Sequence, residues 1–121
     1  MKKGFNKREL GDLGESLAVS HLEKAGLKIV KRNYRCPKGE IDIIAQEREL
    51  MVFVEVRLRT SGFRGYAEES INPKKAYRLQ NIAAYYLLQQ GVIDWPPVRF
   101  DIVAINWEEE KPEIRWIQAA L

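Results

Sequence analysis

The segment from Gly39 to Arg59 constrains the fold most strongly, because it has the pattern of two β-strands joined by a short charged turn. In its second strand one face is entirely apolar, whereas the other face begins apolar and becomes charged away from the turn. The apolar face consists of Val52, Val54, Val56 and Leu58, and the mixed face consists of Met51, Phe53, Glu55, Arg57 and Arg59. In the first strand Ile41, Ile43 and Ala45 alternate with Glu40, Asp42, Ile44 and Gln46. Both strands therefore carry charged side chains where a buried strand normally stays apolar.

Asp42 and Glu55 lie opposite each other if the turn between the strands has an even number of residues. Such a turn, centred on Arg48-Glu49, pairs Gln46 with Met51 and sets the two carboxylates on one face. Directly opposed side chains have Cβ atoms about 5 Å apart, and like charges there are destabilising. The pair would therefore need a proton or a cation between them. A turn with an odd number of residues would place the carboxylates on opposite faces, and this alternative stays open.

The composition is that of one soluble globular domain. A chain of 121 residues is long enough for one hydrophobic core and too short for two. We assign residues 9–121 to a single domain and residues 1–8 to a basic N-terminal arm. The net charge of +3 permits an anionic partner without requiring one. There is no signal peptide pattern and no run of ~18 apolar residues that could span a membrane. We therefore expect a cytoplasmic protein with no membrane partner.

Three features that could suggest chemistry are assigned to structure. Cys36 is the only cysteine, which excludes an internal disulfide and a cysteine-based zinc site, and it has no obvious basic partner that would activate it. His21 lies near the middle of an apolar helical stripe, as expected of a core histidine. The segment Trp95 to Pro97 is more typical of a packed loop than of a base-stacking site.

Hydrophobic periodicity predicts two helices and five strands. The first helix is expected from Glu9 to Ala25, with Gly26 as the glycine after its end. The second follows Asn72-Pro73, an N-cap and a first-turn proline, and ends near Gln90. Strands are predicted for residues 27–35, for the two arms of the hairpin, for 98–107 and, after an acidic turn at 108–112, for 113–119 at a sheet edge. The order α-β-β-β-α-β-β predicts an α/β (α+β) domain with a mixed sheet flanked by helices.

Carboxylates that converge at a strand end, with a cation two residues after one of them, are suited to a hard divalent metal. Mg²⁺ prefers oxygen ligands and keeps several waters, so one or two carboxylates plus substrate phosphate oxygens suffice. The metal can lower the pKa of a bound water and neutralise charge that builds on phosphorus. A basic side chain beside it can stabilise the same charge. Asp42, Glu55 and Arg57 are residue types that this chemistry requires. With an even turn, Asp42 and Glu55 also lie on the same face of the hairpin.

The motifs Gly39-Glu40-Ile41-Asp42 and Phe53-Val54-Glu55-Val56-Arg57 resemble the signature of the PD-(D/E)XK nuclease superfamily. Nearly the whole chain is similar to the YraN family, small bacterial proteins considered distant relatives of archaeal Holliday junction resolvases. The similarity extends to further motifs: Gly14-Glu15 with Leu17-Ala18, Asn33-Tyr34-Arg35, Pro73-Lys74-Lys75 and Arg99-Phe100-Asp101. A single E-x-K-like triplet is common in proteins, whereas this ordered set is specific.

The resemblance implies a restriction-endonuclease-like fold and a metal-dependent endonuclease that hydrolyses phosphodiester bonds in structured or branched DNA. It implies Mg²⁺ or Mn²⁺ bound by Asp42 and Glu55, with Glu15 and Arg57 completing the catalytic set. Glu40 and Asp101 are expected as accessory acidic positions. The residues expected to contact nucleic acid are Arg59, Arg64, Lys74, Lys75 and Arg78. By analogy with the symmetry of a DNA junction, the resemblance also implies a homodimer, for which the last strand offers an edge.

Arg57 leaves two other interpretations open, because it stands where the nuclease signature has lysine. A lysine can lose its proton if its pKa is depressed, but an arginine effectively cannot, which excludes proton transfer at this position. The chain could therefore be a catalytically impaired nucleic-acid-binding module on a nuclease fold. It could instead be a protein-interaction domain in which arginines neutralise Asp42 and Glu55 and the lysines of the second helix lie on a solvated face.

Overall fold

The described part of the chain forms two α-helices and one five-stranded β-sheet. The structure is a computed structural model that describes residues 6–60, 72–108 and 111–121. Three segments lie outside the described residues. They are the predicted arm up to residue 5, residues 61–71 with Arg64, and residues 109–110 of the predicted acidic turn. The elements are α1 (Lys7–Lys24), β1 (Lys28–Cys36), β2 (Gly39–Glu47), β3 (Leu50–Thr60), α2 (Pro73–Gln89), β4 (Val98–Glu108) and β5 (Lys111–Ile117). This order confirms the predicted fold class, an α+β domain in a restriction-endonuclease-like arrangement.

The sheet has the spatial order β1-β2-β3-β4-β5. Its β3 and β4 strands run parallel, whereas all other neighbours are antiparallel. A parallel pair needs a crossover connection, and α2 supplies it on one face of the sheet while α1 covers the other. The last strand, β5, is an edge as predicted, and β1 is the opposite edge.

Local sequence signals determine where both helices begin. Asn6 caps α1: its Oδ1 accepts the Glu9 N–H at 2.8 Å, and Glu9 Oε1 accepts the Asn6 N–H at 2.9 Å, a capping box. The helix therefore starts at residue 7, within the arm predicted for 1–8. That prediction does not take the capping signal of Asn6 and Glu9 into account. Asn72 caps α2 as predicted, since its Oδ1 accepts the Lys75 N–H at 2.8 Å with Pro73 in the first turn. Within the described ranges, no helix is long and apolar enough to cross a membrane.

The hairpin between β2 and β3 has the even turn on which the carboxylate prediction depends. Arg48-Glu49 forms a two-residue connection, and Gln46 pairs with Met51. The first turn residue has a φ of 57°, the left-handed conformation that favours tight hairpins. The predicted register is therefore confirmed from the pair Glu47–Leu50 to the pair Ile43–Val54, and Asp42 and Glu55 directly follow the last pair.

Two hydrophobic layers lie on opposite faces of the sheet. In the layer under α2, the rings of Phe53 and Tyr86 meet edge to face with centroids 6.0 Å apart. In the layer under α1, Leu22 packs with Val52 and Val54, all three fully buried. The alternation of β3 thus divides its apolar residues between the two layers as predicted.

The faces of β1 and β2 exchange at Asn33, which has a φ of 53°. Arg32 pairs with Ile43 and Tyr34 pairs with Ile41, while the pairing skips Asn33 itself. Tyr34 and Ile41 consequently lie in the layer under α2, whereas Ile43 lies in the layer under α1. The prediction that Ile41 and Ile43 share one face is therefore wrong, because alternation in β2 is interrupted at Asp42, where its pairing with β1 passes Asn33.

The last strand begins earlier than predicted, at residue 111 instead of 113. Pro112 lies opposite Trp107 in the β4–β5 pairing, although the sequence predicts it as part of the preceding turn. An edge strand tolerates proline because one row of its backbone groups has no strand to bond. The predicted acidic turn at 108–112 is accordingly shorter, since residues 108, 111 and 112 belong to strands.

Of the residues assigned to structure, His21 and Cys36 pack against other side chains, whereas Trp95 is 51% exposed. His21 is partly buried, and its ring meets Trp116 edge to face at a centroid distance of 6.3 Å. Cys36 is a partly buried free cysteine packed against the layer under α2. The carbonyl of Pro97 accepts the Met51 N–H at 2.9 Å, which anchors the loop before β4.

Candidate active site

Asp42 lies where the pairing between β2 and β3 ends. The last pair is Ile43 with Val54, and the next step of the same register would set Asp42 opposite Glu55. Instead of a further strand pair, Asp42 Oδ2 accepts the Val56 N–H at 2.8 Å. The carboxylate thus takes a backbone donor of β3 that a longer ladder would give to a β2 carbonyl.

Burial raises the pKa of Asp42 from 3.8 to about 6. The Val56 N–H acts in the opposite direction by stabilising the carboxylate anion, while the negative charges of Glu55, Glu15 and Glu40 raise the pKa further. At neutral pH Asp42 is therefore ionised at a position that disfavours negative charge. A cation held beside Asp42 would offset this unfavourable energy.

Glu55 lies between two cationic side chains. Its Oε2 accepts hydrogen bonds from Arg57 Nε at 2.9 Å and from Lys75 Nζ at 2.5 Å. The Glu55 and Arg57 side chains are 12% and 13% exposed, so this pair is largely withdrawn from water, whereas Lys75 is 30% exposed. Because Lys75 belongs to the first turns of α2, the ion pair joins the charged part of β3 to the helix start. The sequence predicts Lys75 as a nucleic-acid contact. In the structure its ammonium group also forms part of the charged cluster around Glu55.

Glu15 reaches the same region from α1. Its Oε1 accepts hydrogen bonds from Arg32 Nε at 2.8 Å and from Asn33 Nδ2 at 3.1 Å, and its side chain is only 10% exposed. The left-handed residue that exchanges the faces of β1 thus also supplies an amide to Glu15. The charge of Glu15 contributes to the raised pKa of Asp42, which places the two carboxylates in one electrostatic group.

A cleft of about 440 Å³ opens beside Glu55. It is lined by Glu55, Val56, Arg57, Leu58, Arg59, Asn72 and Lys75. Arg59 is partly buried there, and its Nη1 donates to the Leu58 carbonyl at 3.2 Å. Among these lining residues the cationic side chains outnumber the single carboxylate. Arginine and lysine donors around a cleft are suited to the anionic oxygens of a phosphate group.

The donor set fits a divalent cation only when other ligands complete its coordination. Within residues 6–60, 72–108 and 111–121, no three carboxylate, histidine or cysteine side chains converge tightly enough to hold a metal ion by themselves. Asp42 and Glu55 supply two oxygen-bearing groups with an unfavourable mutual charge, which suits a hard cation. Mg²⁺ commonly takes one or two protein carboxylates and fills its remaining positions with water and phosphate oxygens. The site therefore fits Mg²⁺ or Mn²⁺ together with a phosphate-bearing substrate.

Asp101, predicted as an accessory acidic position, belongs to a different hydrogen-bonded group. Its Oδ1 accepts from Arg99 Nε at 2.9 Å and from the Ala119 N–H at 3.0 Å. Its Oδ2 accepts from Arg99 Nη2 at 2.9 Å and from Trp116 Nε1 at 2.8 Å. The hydrogen bonds with Asp101 raise the pKa of Arg99 above its ordinary value. The fully buried Asp101 side chain thus connects β4 with β5 and the residues that follow it.

The other predicted residues lie at the margins of the site. Glu40 is exposed and pairs with Arg35 at 3.5 Å, although its charge still contributes to the raised pKa of Asp42. Lys74 and Arg78 are exposed on the outer face of α2, and Arg64 lies outside the described residues. Of the predicted residues, the cleft therefore collects Glu55, Arg57, Arg59 and Lys75. Asp42 and Glu15 do not line it and are linked to Glu55 through the charges that raise the pKa of Asp42.

Sequence reasoning missed the two side chains that hold Glu15, namely Arg32 and Asn33. Their contact joins α1 to β1, and neither periodicity nor local propensity reports on pairs so far apart in the chain. One signal was available for Asn33. Asparagine adopts positive φ more readily than other residues with a side chain, so an asparagine inside a predicted strand can mark a reversal of its faces.

Comparison with known proteins identifies the family of this chain. Residues 14–105 match "Uncharacterised protein family UPF0102", a range that contains every residue of the site just described. A UPF0102 protein of Desulfitobacterium hafniense (strain DSM 10664 / DCB-2) is 50% identical over 116 residues, which cover 93% of this chain and 96% of that protein. Relatives in Nitrosococcus oceani and Moorella thermoacetica are 42% and 41% identical, over 98% and 94% of this chain and 95% and 93% of their own lengths. The resemblance to the YraN family of bacterial proteins is thereby confirmed, and the chain belongs to protein family UPF0102.

Proposed function

We propose that this protein is a divalent-metal-dependent endonuclease that hydrolyses phosphodiester bonds in structured or branched DNA. The observation that carries the proposal is Asp42, a partly buried carboxylate whose pKa is raised to about 6 by burial and by the nearby charges that include Glu55. Asp42 and Glu55 directly follow Ile43 and Val54, the last residues paired between β2 and β3. Two carboxylates with an unfavourable mutual interaction are stabilised when a divalent cation binds between them. The similarity of the Gly39-to-Asp42 and Phe53-to-Arg57 motifs to the PD-(D/E)XK signature supports the same assignment.

Asp42 and Glu55 would hold the metal, and the negative charge of Glu15 would increase the affinity of this position for a cation. When bound, Mg²⁺ or Mn²⁺ would supply a Lewis acid for the phosphate and for the attacking water. Because two carboxylates leave several coordination positions open, phosphate oxygens of the DNA would contribute to the affinity.

Arg57 and Lys75 would bind the scissile phosphate beside the acidic group. Both side chains line the 440 Å³ cleft and contact Glu55. Arg57 keeps its positive charge at every accessible pH, so its contribution is to bind a phosphate oxygen and stabilise negative charge in the transition state. Lys75 presents a compact ammonium from α2 toward the same cleft. Binding a phosphate oxygen and stabilising the transition state do not require Arg57 to transfer a proton. An arginine where the nuclease signature has lysine is therefore compatible with hydrolysis.

The experiment that tests the proposal combines metal binding with cleavage. The melting temperature of the wild type is expected to rise with MgCl₂ or MnCl₂, because a ligand that binds only the folded state stabilises it. Asp42→Asn should lose this rise, whereas Glu23→Gln, a change at an exposed acidic residue of α1, should keep it. The titration is repeated with a four-way DNA junction present, since phosphate oxygens would complete the coordination.

Cleavage is measured on labelled junction, flap and duplex DNA with each metal. We expect cleavage by the wild type and by Glu23→Gln, and none by Asp42→Asn or Glu55→Gln. A wild type that cleaves none of these substrates would contradict the proposal. A metal-dependent stabilisation that persists in Asp42→Asn would contradict the assignment of the metal to these carboxylates.

A second function, nucleic-acid binding without hydrolysis, is favoured by one specific observation. Glu55 already has two cationic partners in Arg57 and Lys75, which reduces its need for a metal ion. Such a protein would bind DNA with an affinity that falls steeply as salt is added, because binding releases counterions. The variant Arg57→Lys separates the two functions. Cleavage by the variant and not by the wild type would indicate a binding module on a nuclease fold, and cleavage by both would support the endonuclease.

A further inference from the structure

A second groove runs along the outer face of α2, next to the cleft of the candidate active site. It is open to solvent, has a volume of about 490 Å³, and is lined by Asn72, Lys74, Lys75, Tyr77, Arg78 and Asn81. Residues three and four positions apart lie on one face of a helix, so Lys74, Arg78 and Asn81 form a continuous stripe with Tyr77 beside it. The groove is therefore a coherent surface of the helix.

The groove has the charge expected of a surface that binds an anion. Each ionisable side chain that lines it, apart from the tyrosine, is a cation, and no described acidic residue lines it. Lys74 and Arg78 are exposed and have no ion-pair partner among the described residues. Their charges are therefore available to phosphate groups, which Arg and Lys bind in preference to neutral ligands.

The groove is continuous with the active-site cleft. Asn72 and Lys75 line both, so a chain that leaves the cleft past Lys75 enters the groove directly. At the other end, Arg78 also lines a depression of about 330 Å³ with Arg35. Its side chain passes over Gly39, where an added Cβ would lie 3.4 Å from Arg78 Cδ. Cationic side chains thus extend from the site toward the turn between β1 and β2, where the depression is also lined by Glu40, the carboxylate that pairs with Arg35 at 3.5 Å.

Tyr77 determines which kind of nucleic acid suits this track. Its side chain is 69% exposed, so the ring is accessible to a ligand in the groove. Bases of a single strand stack on aromatic rings, and the combination of such rings with cations is typical of grooves that bind single strands. The bases of a duplex are already stacked on one another and offer no face to Tyr77.

We propose that this groove binds a single-stranded DNA segment that leaves the candidate active site. Tyr77 stacks on a base, and Lys74 and Arg78 bind phosphates on either side of it. The inference rests on the proposed function in taking DNA as the substrate, and it narrows that substrate to DNA with a single-stranded arm, such as a flap or a splayed junction.

Binding of a fluorescein-labelled oligothymidylate and of a blunt duplex of equal length, measured by anisotropy in EDTA, tests the inference without any need for catalysis. Stacking contributes roughly 1–3 kcal/mol per base, so Tyr77→Ala should weaken oligothymidylate binding by about 5- to 150-fold and leave duplex binding unchanged. Tyr77→Phe should restore the affinity. Trp95→Ala, which removes another exposed aromatic ring outside the groove, is the matched control and should have no effect.

The phosphate contacts are tested by salt dependence. Lys74→Gln and Arg78→Gln should each reduce the slope of log affinity against log salt by about 0.7, the value for one contact to a single strand. An unchanged affinity in Tyr77→Ala, an equal loss for duplex and single strand, or no binding of oligothymidylate by the wild type would overturn the inference.

The failure of this inference and the failure of the proposed endonuclease give different results. If the wild type cleaves DNA in an Asp42-dependent way while Tyr77→Ala binds oligothymidylate normally, only the groove assignment is wrong. If no substrate is cleaved but Tyr77→Ala loses oligothymidylate binding selectively, the groove assignment is supported and the hydrolytic function is wrong.

Discussion

Replacing Asp42 with asparagine is expected to stabilise this protein by an amount that grows with pH. Burial, together with the charges of Glu55, Glu15 and Glu40, raises the pKa of Asp42 from 3.8 to about 6. The folded state therefore binds the proton of the Asp42 carboxyl more tightly than the unfolded chain does. The contribution of Asp42 to the free energy of unfolding is thus most favourable at low pH and is lost as pH rises through about 6. At roughly 1.4 kcal/mol per pKa unit, ionised Asp42 destabilises the folded state by ~3 kcal/mol above this window.

The Asp42→Asn variant removes the charge and keeps the hydrogen bond. Its amide oxygen can still accept the Val56 N–H that Asp42 Oδ2 accepts in the wild type. About one third of the penalty is already present near pH 4.5, because the unfolded carboxyl ionises at about 4. The free energy of unfolding of the variant should therefore exceed that of the wild type by a margin that increases by ~2 kcal/mol between about pH 4.5 and about pH 8.

Urea unfolding of both proteins at a series of pH values measures this margin. Glu23→Gln, which removes an exposed carboxylate of α1, is the control for the loss of one negative charge. A margin between Asp42→Asn and wild type that stays constant across this range would refute the reasoning, because it would mean that the folded state does not raise the pKa of Asp42.

Three further outcomes are expected. Asn33→Ala should lower the free energy of unfolding by about 1–2 kcal/mol because it puts a Cβ-bearing residue without a polar side chain at positive φ. Asn33→Gly also lacks the hydrogen bond from the amide to Glu15, but it should cost less because glycine adopts positive φ freely. Urea unfolding of both variants compares the two costs. Asp101→Asn should cost about 3–5 kcal/mol, since it leaves Arg99 without its buried partner, and a loss below about 1 kcal/mol would show that the pair is replaceable. Lys75→Met should tighten Mn²⁺ binding about two- to five-fold by removing a competing cation from Glu55, as measured by calorimetry, and unchanged or weaker binding would contradict that competition.

The hairpin and its register could be predicted from the sequence because both depend on local regularities. Alternation in β3 assigns each side chain to a face, and a two-residue turn at Arg48-Glu49 sets the register that brings Asp42 toward Glu55. Both follow from the period of two in a strand and from the count of residues in the turn. The start of α2 was likewise predictable, because Asn72 and Pro73 act within one helical turn.

The rest of the site depends on contacts between residues that are distant in sequence. The pairing of Lys75 with Glu55 crosses from α2 to β3, and the bonds from Arg32 and Asn33 to Glu15 cross from β1 to α1. Propensity and periodicity describe single elements, so they do not report which charged side chains meet between elements. The face of Ile41 is beyond simple alternation for a related reason, since β2 changes faces at Asp42, where its pairing with β1 passes the left-handed Asn33.

We expect the parallel pairing of β3 with β4 to divide folding into a local and a non-local stage. From β1 to β3 each strand pairs with the next through a two-residue turn, whereas β4 pairs with β3 only after the chain has passed through α2. Closing the longer connection loses more chain entropy, which slows its formation. Glu15, Asp42 and Glu55 all precede that connection, so their repulsion develops in the early stage and Lys75 arrives in the late one. We expect docking of α2 and β4 to limit the refolding rate and to complete the charge balance of the site.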